Sequence, residues 1–169
     1  TREPRPGEHD GRDYHFVSHD KFQAMIQDDA FLEWAEVYGN HYGSPRAPIM
    51  EALDRGESVL FDIDFQGAMK VHKQAGEDSV LVYILPPSLA EMSRRLHARS
   101  QDSEEVIAKR LARAKDEVAA WERFDYVILN DDFDRAYADL AHIYHAERQK
   151  RARNPWIGNL VGDLLREEI

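Results

Sequence analysis

Three near-continuous apolar runs, Ser58 to Ile63, Ser79 to Leu85 and Tyr126 to Leu129, are separated by stretches with helical periodicity. A strand covered on one face alternates apolar and polar residues. A run that is apolar at almost every position needs cover on both faces, the situation of parallel strands flanked by crossover helices. The runs therefore predict an α/β core built on a parallel sheet with helices on both faces. The longest, Val80 to Leu85, falls far short of the roughly 20 residues that span a bilayer, and no charged-then-apolar leader opens the sequence. A soluble, cytoplasmic protein is expected.

The 169 residues, 43% hydrophobic and 32% charged, suit one domain with a modest insert. The insert comes first. Thr1 to about Ser44 opens with a Pro/Gly-rich loop and continues into a short helix after Ser18, with Phe22, Met25 and Ile26 on one face. Phe31 to Val37 reads as a strand and Tyr38 to Tyr42 as turn residues between aromatics, so a small β-rich lobe is expected. A helix with Pro48 at its first position and Gly56 just past its end leads into the core. Two further helices, between Ser88 and Ala120, flank the polar break Arg99 to Ser103, where Ser103 offers an N-cap and Glu104 and Glu105 suit the helix dipole. A long helix is predicted from about Asp134 to Arg153. After Asn154 and Pro155, a tail carries Trp156, Ile157, Leu160, Val161, Leu164 and Leu165 in helical register, a candidate for docking or for pairing copies of the chain.

Charge and cysteine content narrow the chemistry. A net charge of −10 disfavours binding a nucleic-acid backbone, although local arginines can still hold small anions. The absence of cysteine rules out disulfides and thiolate metal sites. His142 and His145 lie three apart on a predicted helix, but no third ligand is placed beside them, so no metal site is expected there.

Polar residues beyond the carboxyl ends of parallel strands are candidates for function, because open sheets bind ligands there. Asp62, Asp64 and the run Asn130 to Asp132 qualify. Two carboxylates so near the core need a cation or a donor, and a helix cap would also satisfy one. Glu33 interrupts the apolar strand face of Phe31, Ala35 and Val37, so it requires a buried donor unless this is an edge strand with Glu33 in solvent. Arg2, Arg5, Glu8 and Tyr14 share a loop that Pro4 and Pro6 stiffen, a means of presenting guanidinium forks to a phosphate. Arg94, Arg95, Arg99, Arg110 and Arg113 fit a solvated helix face, but their grouping around the polar break also suits neutralising a transferring phosphoryl group.

The stretch Thr1 to Glu8, followed by Gly11 to Tyr14, resembles the GMP-binding opening of guanylate kinases. Phe31 to Ala35, Gly39 to Ser44, Asp62 to Asp64 with Gln66 and Gly67, Ile84 to Ser88, Arg99 to Arg110 and Val127 to Asp132 continue the resemblance in sequence order, over about Thr1 to Arg148. It implies a P-loop-type fold with a GMP-binding lobe at 1–44, an α/β core at 45–98 and 123–153, a helical lid with its following helix at 99–122 and a tail at 154–169, together one structural domain. It implies transfer of a phosphoryl group from ATP to GMP, giving ADP and GDP, with Mg²⁺ accompanying ATP. Arg2, Arg5, Tyr14 and Tyr42 would hold the GMP phosphate, with Glu8 supporting the arginines. Glu33, Ser44 and Asp64 would read guanine, whose N1–H and 2-amino group suit carboxylates and whose O6 suits a hydroxyl donor. Arg95, Arg99 and Arg110 would act on the ATP phosphates, Asp62 near the reacting groups and Asn130 beside adenine. Ser100 and His41 depart from the family pattern, which has glycine and commonly an aromatic ring there.

No glycine begins the pattern G-x-x-x-x-G-K-[ST], the loop whose backbone N–H groups and lysine cradle ATP phosphates. The family places that loop ahead of the Thr1 motif, so the 169 residues as written are expected to keep the GMP site, to be poorly stable alone and to be inactive. The alternative readings are a non-catalytic guanylate-kinase-like binding module, which predicts erosion of the nucleotide residues, and a GMP sensor.

Overall fold

The structure, a computed structural model, describes residues 1–99 and 103–168, with the Arg99 side chain outside the description. The polar break at 100–102, Ser100 included, and the role expected for the Arg99 side chain therefore lie outside the described residues.

The small lobe forms as its sequence predicts. Ser18 Oγ accepts the Lys21 N–H and starts helix α1 (His19–Gln27), whose Phe22 is buried. Strands β1 (Phe31–Val37) and β2 (Asn40–Pro45) form an antiparallel hairpin. At its turn, Tyr38 (φ 51°) and Gly39 (φ 83°) are both left-handed, the two-residue arrangement that matches the twist of paired strands. Phe22 stacks on Phe31 at 4.5 Å, and Gly43 allows it: a Cβ there would lie 2.7 Å from the Phe31 ring. His41 fills its aromatic position with an imidazole, packed at 4.6 Å from His19 and 5.4 Å from Phe22.

Helix α2 (Arg46–Asp54) begins two residues earlier than expected, after Pro45. Pro48 sits in its first turn rather than at its first position, where its missing N–H still leaves no helical bond unmade. Gly56 is left-handed just past the end, as predicted. Helix α3 (Phe65–Ala75) covers the outer edge of β1: Gln74 donates to the Leu32 carbonyl at 2.8 Å and Lys70 to that of Trp34. These bonds occupy backbone groups that would otherwise form an open sheet edge.

The core departs from expectation at one strand. Strands β3 (Val82–Leu85) and β4 (Tyr126–Leu129) pair in parallel, but Ser58 to Ile63 forms no strand and Leu60 is 83% exposed. Apolar composition suits a strand, yet a strand exists only where another backbone supplies its hydrogen bonds; among the described residues no strand pairs with 58–63. Helices α4 (Leu89–Arg99) and α5 (Glu104–Val118) follow β3, with Ser103 Oγ accepting the Val106 N–H at the start of α5. Helix α6 (Phe133–Gln149) is capped by Asp132 and stops four residues before the predicted Arg153. Lys150 turns out of the helical region (ψ 133°), and the Asn154 side chain takes the carbonyls of Arg148 and Lys150. Helix α7 (Trp156–Leu164) completes the tail, with Trp156, Leu160, Val161 and Leu164 exposed. Among the described residues no helix is long and apolar enough to cross a membrane.

Candidate active site

The strand register assembles the first group. β1 slips register between Phe31 and Glu33, which sets Glu33 opposite Ser44 on β2. Glu33 is 5% exposed, so the solvent-facing edge-strand reading fails. Ser44 Oγ donates to Glu33 Oε1 at 2.6 Å. From the other side α3 begins against this carboxylate: a Cβ on Gly67 would stand 2.7 Å from Glu33 Oε2, so only glycine lets the helix approach this closely. Asp64 is the N-cap of α3, accepting the Gly67 N–H at 2.9 Å. Burial pushes the Glu33 carboxyl above its ordinary range; the Ser44 bond opposes that shift and the Asp64 charge adds to it. The result is an acidic pair at the start of a helix, Glu33 buried and Asp64 half-buried, with Asp64 as cap and the Glu33 Oε2 edge against the helix's first turn.

The second group lies in the opening loop. Arg2 makes a two-pronged ion pair with Glu8, both bonds 2.6 Å, while its Nε donates to the Tyr42 hydroxyl at 3.2 Å. With a further bond to the Glu3 carbonyl, four of the five Arg2 N–H groups are engaged. Its guanidinium lies over Tyr14 at 5.2 Å and Phe16 at 5.6 Å. Glu8 also accepts the Arg5 backbone N–H at 2.7 Å. Arg2 chiefly, then that backbone bond, hold the Glu8 carboxyl down at about 2. The loop is thus folded around Glu8, and it brings Arg2, Tyr14 and Tyr42 to one place, with Arg5 joined through its backbone.

A third group sits at the carboxyl ends of β3 and β4. A cleft of about 220 Å³ is lined by Ile84, Pro86, Met92, Arg95, Leu96 and Asn130. Arg95 donates to the Asn130 carbonyl at 2.9 Å and to Glu91 at 2.6 Å. Arg94 first, then Arg95, depress the Glu91 carboxyl to about 2. Arg110, on α5, lies over the Tyr38 ring at the hairpin tip, 5.4 Å from its centroid. Asp62 is exposed in the extended stretch before α3, and no hydrogen bond or ion pair among the described residues ties it to these groups.

The guanylate kinase family model matches residues 1–147. This chain belongs to the guanylate kinase family. It is 88% identical to the guanylate kinase of Caulobacter vibrioides over 169 residues, which are 100% of this chain and 79% of that protein. It is 54% identical to the guanylate kinase of Maricaulis maris over 167 residues, covering 99% of this chain and 77% of the relative. The crystal structure of guanylate kinase from Anaplasma phagocytophilum superposes with a TM-score of 0.87 at 34% identity, covering 99% of this chain and 82% of that one. The sequence reading gave no site role to Gly67, Glu91 or Tyr38, which the structure sets against Glu33, Arg95 and Arg110. Gly67 had a signal in its place three residues after a capping Asp, and Glu91 in its i,i+4 spacing to Arg95. Tyr38 had only its place in the turn.

Proposed function

We infer that this chain serves phosphoryl transfer from ATP to GMP: a GMP phosphate oxygen attacks the γ-phosphorus, the bond to the β-phosphate oxygen breaks, and GDP and ADP result. The observation that carries the reading is the buried Glu33 carboxylate, set across from Ser44 and against α3 in a member of this family. Burial holds this carboxylate above its ordinary range despite the Ser44 bond, and guanine would supply further donors through N1–H and its 2-amino group. Asp64 keeps lone pairs beyond those used in capping and sits beside it. With Glu33 ionised, Ser44 spends its single proton on that carboxylate, so its service to guanine is to orient Glu33; donating to O6 would require the hydroxyl to turn.

In the same reading Arg5, Tyr14 and Tyr42 take the GMP phosphate, while Arg2, largely occupied by Glu8, fixes the Tyr42 hydroxyl. Arg110, Arg95 and Arg99 neutralise charge on the phosphates, and Asn130, in the cleft with Arg95, neighbours adenine. Lobe 1–44 and lid 99–122 are the working parts around the core. An exposed carboxylate such as Asp62 suits Mg²⁺, which keeps most of its waters and uses few protein ligands. Bound with ATP, the ion would offset charge on the phosphates, and Asp62 would help to hold it. ATP and GMP are the partners, and a cytoplasmic setting supplies both. The non-catalytic module is disfavoured because the guanine-reading groups are intact.

A coupled assay of ADP release, run on a chain of the relatives' full length that carries these residues, tests the reading. GMP-dependent ATP consumption, with AMP a poorer acceptor by roughly 10⁴ because it lacks guanine's N1–H and 2-amino donors for the two carboxylates, is the expected result. Equal use of AMP would refute it.

A further inference from the structure

Tyr38 occupies the hairpin turn with φ 51°, in the left-handed region that side chains rarely adopt, where glycine, asparagine or aspartate would be easier. A bulky ring kept in that conformation points to a contact that holds it. That contact is with α5, far along the chain. The Tyr38 hydroxyl donates to Glu117 Oε1 at 3.1 Å, and the guanidinium carbons of Arg110 and Arg113 lie 5.4 and 5.5 Å from the ring centroid. Positions 110, 113 and 117 recur at three and four residues, so they form one face of α5. The helix is in turn fixed to the sheet, since the Tyr83 hydroxyl on β3 donates to the Glu117 carbonyl at 2.9 Å. Burial first, then the charge of Glu117, push the Tyr38 phenol up, so it remains a donor at neutral pH.

We propose that Tyr38 is a positioning residue for phosphoryl transfer: its ring latches the GMP-binding hairpin to α5 and holds Arg110 at the acceptor lobe. The inference rests on the role given to Arg110 above. One hairpin then does two jobs, reading guanine near its base through Glu33 and Ser44 and setting an arginine from another element at its tip. Uncoupling the tip leaves GMP binding intact and slows the chemical step.

The test uses Tyr38→Leu, Tyr38→Phe and Tyr38→Gly in the full-length enzyme, with kcat, GMP affinity and Tm measured for each. Tyr38→Leu is expected to lower kcat roughly tenfold, the scale of two lost cation–π contacts, with GMP affinity within about twofold of wild type. Tyr38→Phe keeps the ring and most of the rate. Tyr38→Gly relaxes the turn, so Tm holds or rises while kcat falls as in Tyr38→Leu, a split that a purely structural role does not produce. Wild-type kcat in Tyr38→Leu and Tyr38→Gly, or rate losses that track Tm and are not rescued by phenylalanine, overturns the proposal. Because the chain has no cysteine, spin labels can be placed through Glu36→Cys and Asp116→Cys, both exposed. Their separation should be narrow in wild type and Tyr38→Phe, and longer or broader in the other two; no difference overturns the latch whatever the kinetics. A wild-type enzyme without GMP-dependent ATP consumption refutes the phosphotransfer reading instead, and the label distances then decide the latch by themselves.

Discussion

Replacing Glu33 by glutamine isolates the guanine-reading role proposed for this carboxylate, with almost no change of shape. The carboxylate has one oxygen committed to Ser44 at 2.6 Å and the other turned toward the first turn of α3. Glutamine can keep the Ser44 bond through Oε1, and its amide nitrogen then takes the place of Oε2. A donor there faces guanine's own donors, so one charge-assisted bond is lost and nothing replaces it. Such bonds contribute about 1.5–3 kcal/mol, which converts to roughly 10- to 150-fold weaker GMP binding. AMP, which offers no donor at N1, should bind the two proteins alike. Titration calorimetry with both nucleotides, at one salt concentration, reads this directly.

The free protein should respond in the opposite sense. Because burial holds the Glu33 carboxyl above its unfolded value, the folded state binds this proton more tightly than the unfolded state does. Its contribution to stability is complete below the unfolded value and declines as pH rises through the folded one. Glu33→Gln removes that decline, so its Tm relative to wild type should improve from pH 4 toward neutrality, in the range where GMP affinity is lost. Unchanged GMP affinity in Glu33→Gln would refute the reasoning, because it would place guanine away from β1. A Tm difference that is flat with pH would show that the carboxylate is not penalised by burial.

Gly67→Ala places a methyl 2.7 Å from Glu33 Oε2 and must push the carboxylate or α3 aside, so GMP binding should fall roughly tenfold or more while AMP binding hardly changes; equal losses for both nucleotides would mean only that α3 has shifted. At the far end of the core, Glu147 is 5% exposed and is met by the Tyr126 hydroxyl at 2.6 Å, Lys150 at 2.7 Å and Arg153 at 3.3 Å. Burial raises its carboxyl, but these partners outweigh that and hold it below the ordinary glutamate range. The stability it contributes is therefore present above the unfolded value and lost as pH falls through the folded one. Arg153→Ala should lower Tm at pH 7 by a few degrees and by less at pH 3, and an equal drop at both would remove the ion pair from the account.

The small lobe was legible because its signals are local. Ser18, the period of Phe22, Met25 and Ile26, and the aromatic-flanked turn each act within a few residues; α1 and β1 form where the sequence places them, while the turn closes to Tyr38 and Gly39 and Asn40 to Tyr42 join β2. The run 58–63 misled for the reason that made the lobe easy: composition reports what a segment can bury, while strand formation depends on a neighbouring backbone that composition does not reveal. The end of α6 is a related case, since the helical pattern runs on past Lys150 and only the Asn154 side chain, reaching back to the Arg148 carbonyl, marks the stop.

At the site the difficulty was double duty. The sequence offers Asp64 as either helix cap or base reader, and the structure makes it the cap, a use that still leaves acceptor capacity for a ligand. Glu33 was visible as a carboxylate on an apolar face, but its partners were not: Ser44 comes from the register across the hairpin and Gly67 from the approach of α3. Arg2 shows the same limit from the other side. Its place in a stiff loop marks it as a phosphate fork, yet the pair with Glu8 turns most of that fork inward. A charged residue's type and spacing tell which ligands it could serve; the neighbours that already occupy its hydrogen bonds determine how much remains to serve them. Arg2 is therefore placed to aim the Tyr42 hydroxyl, with one N–H of its fork left over for a ligand.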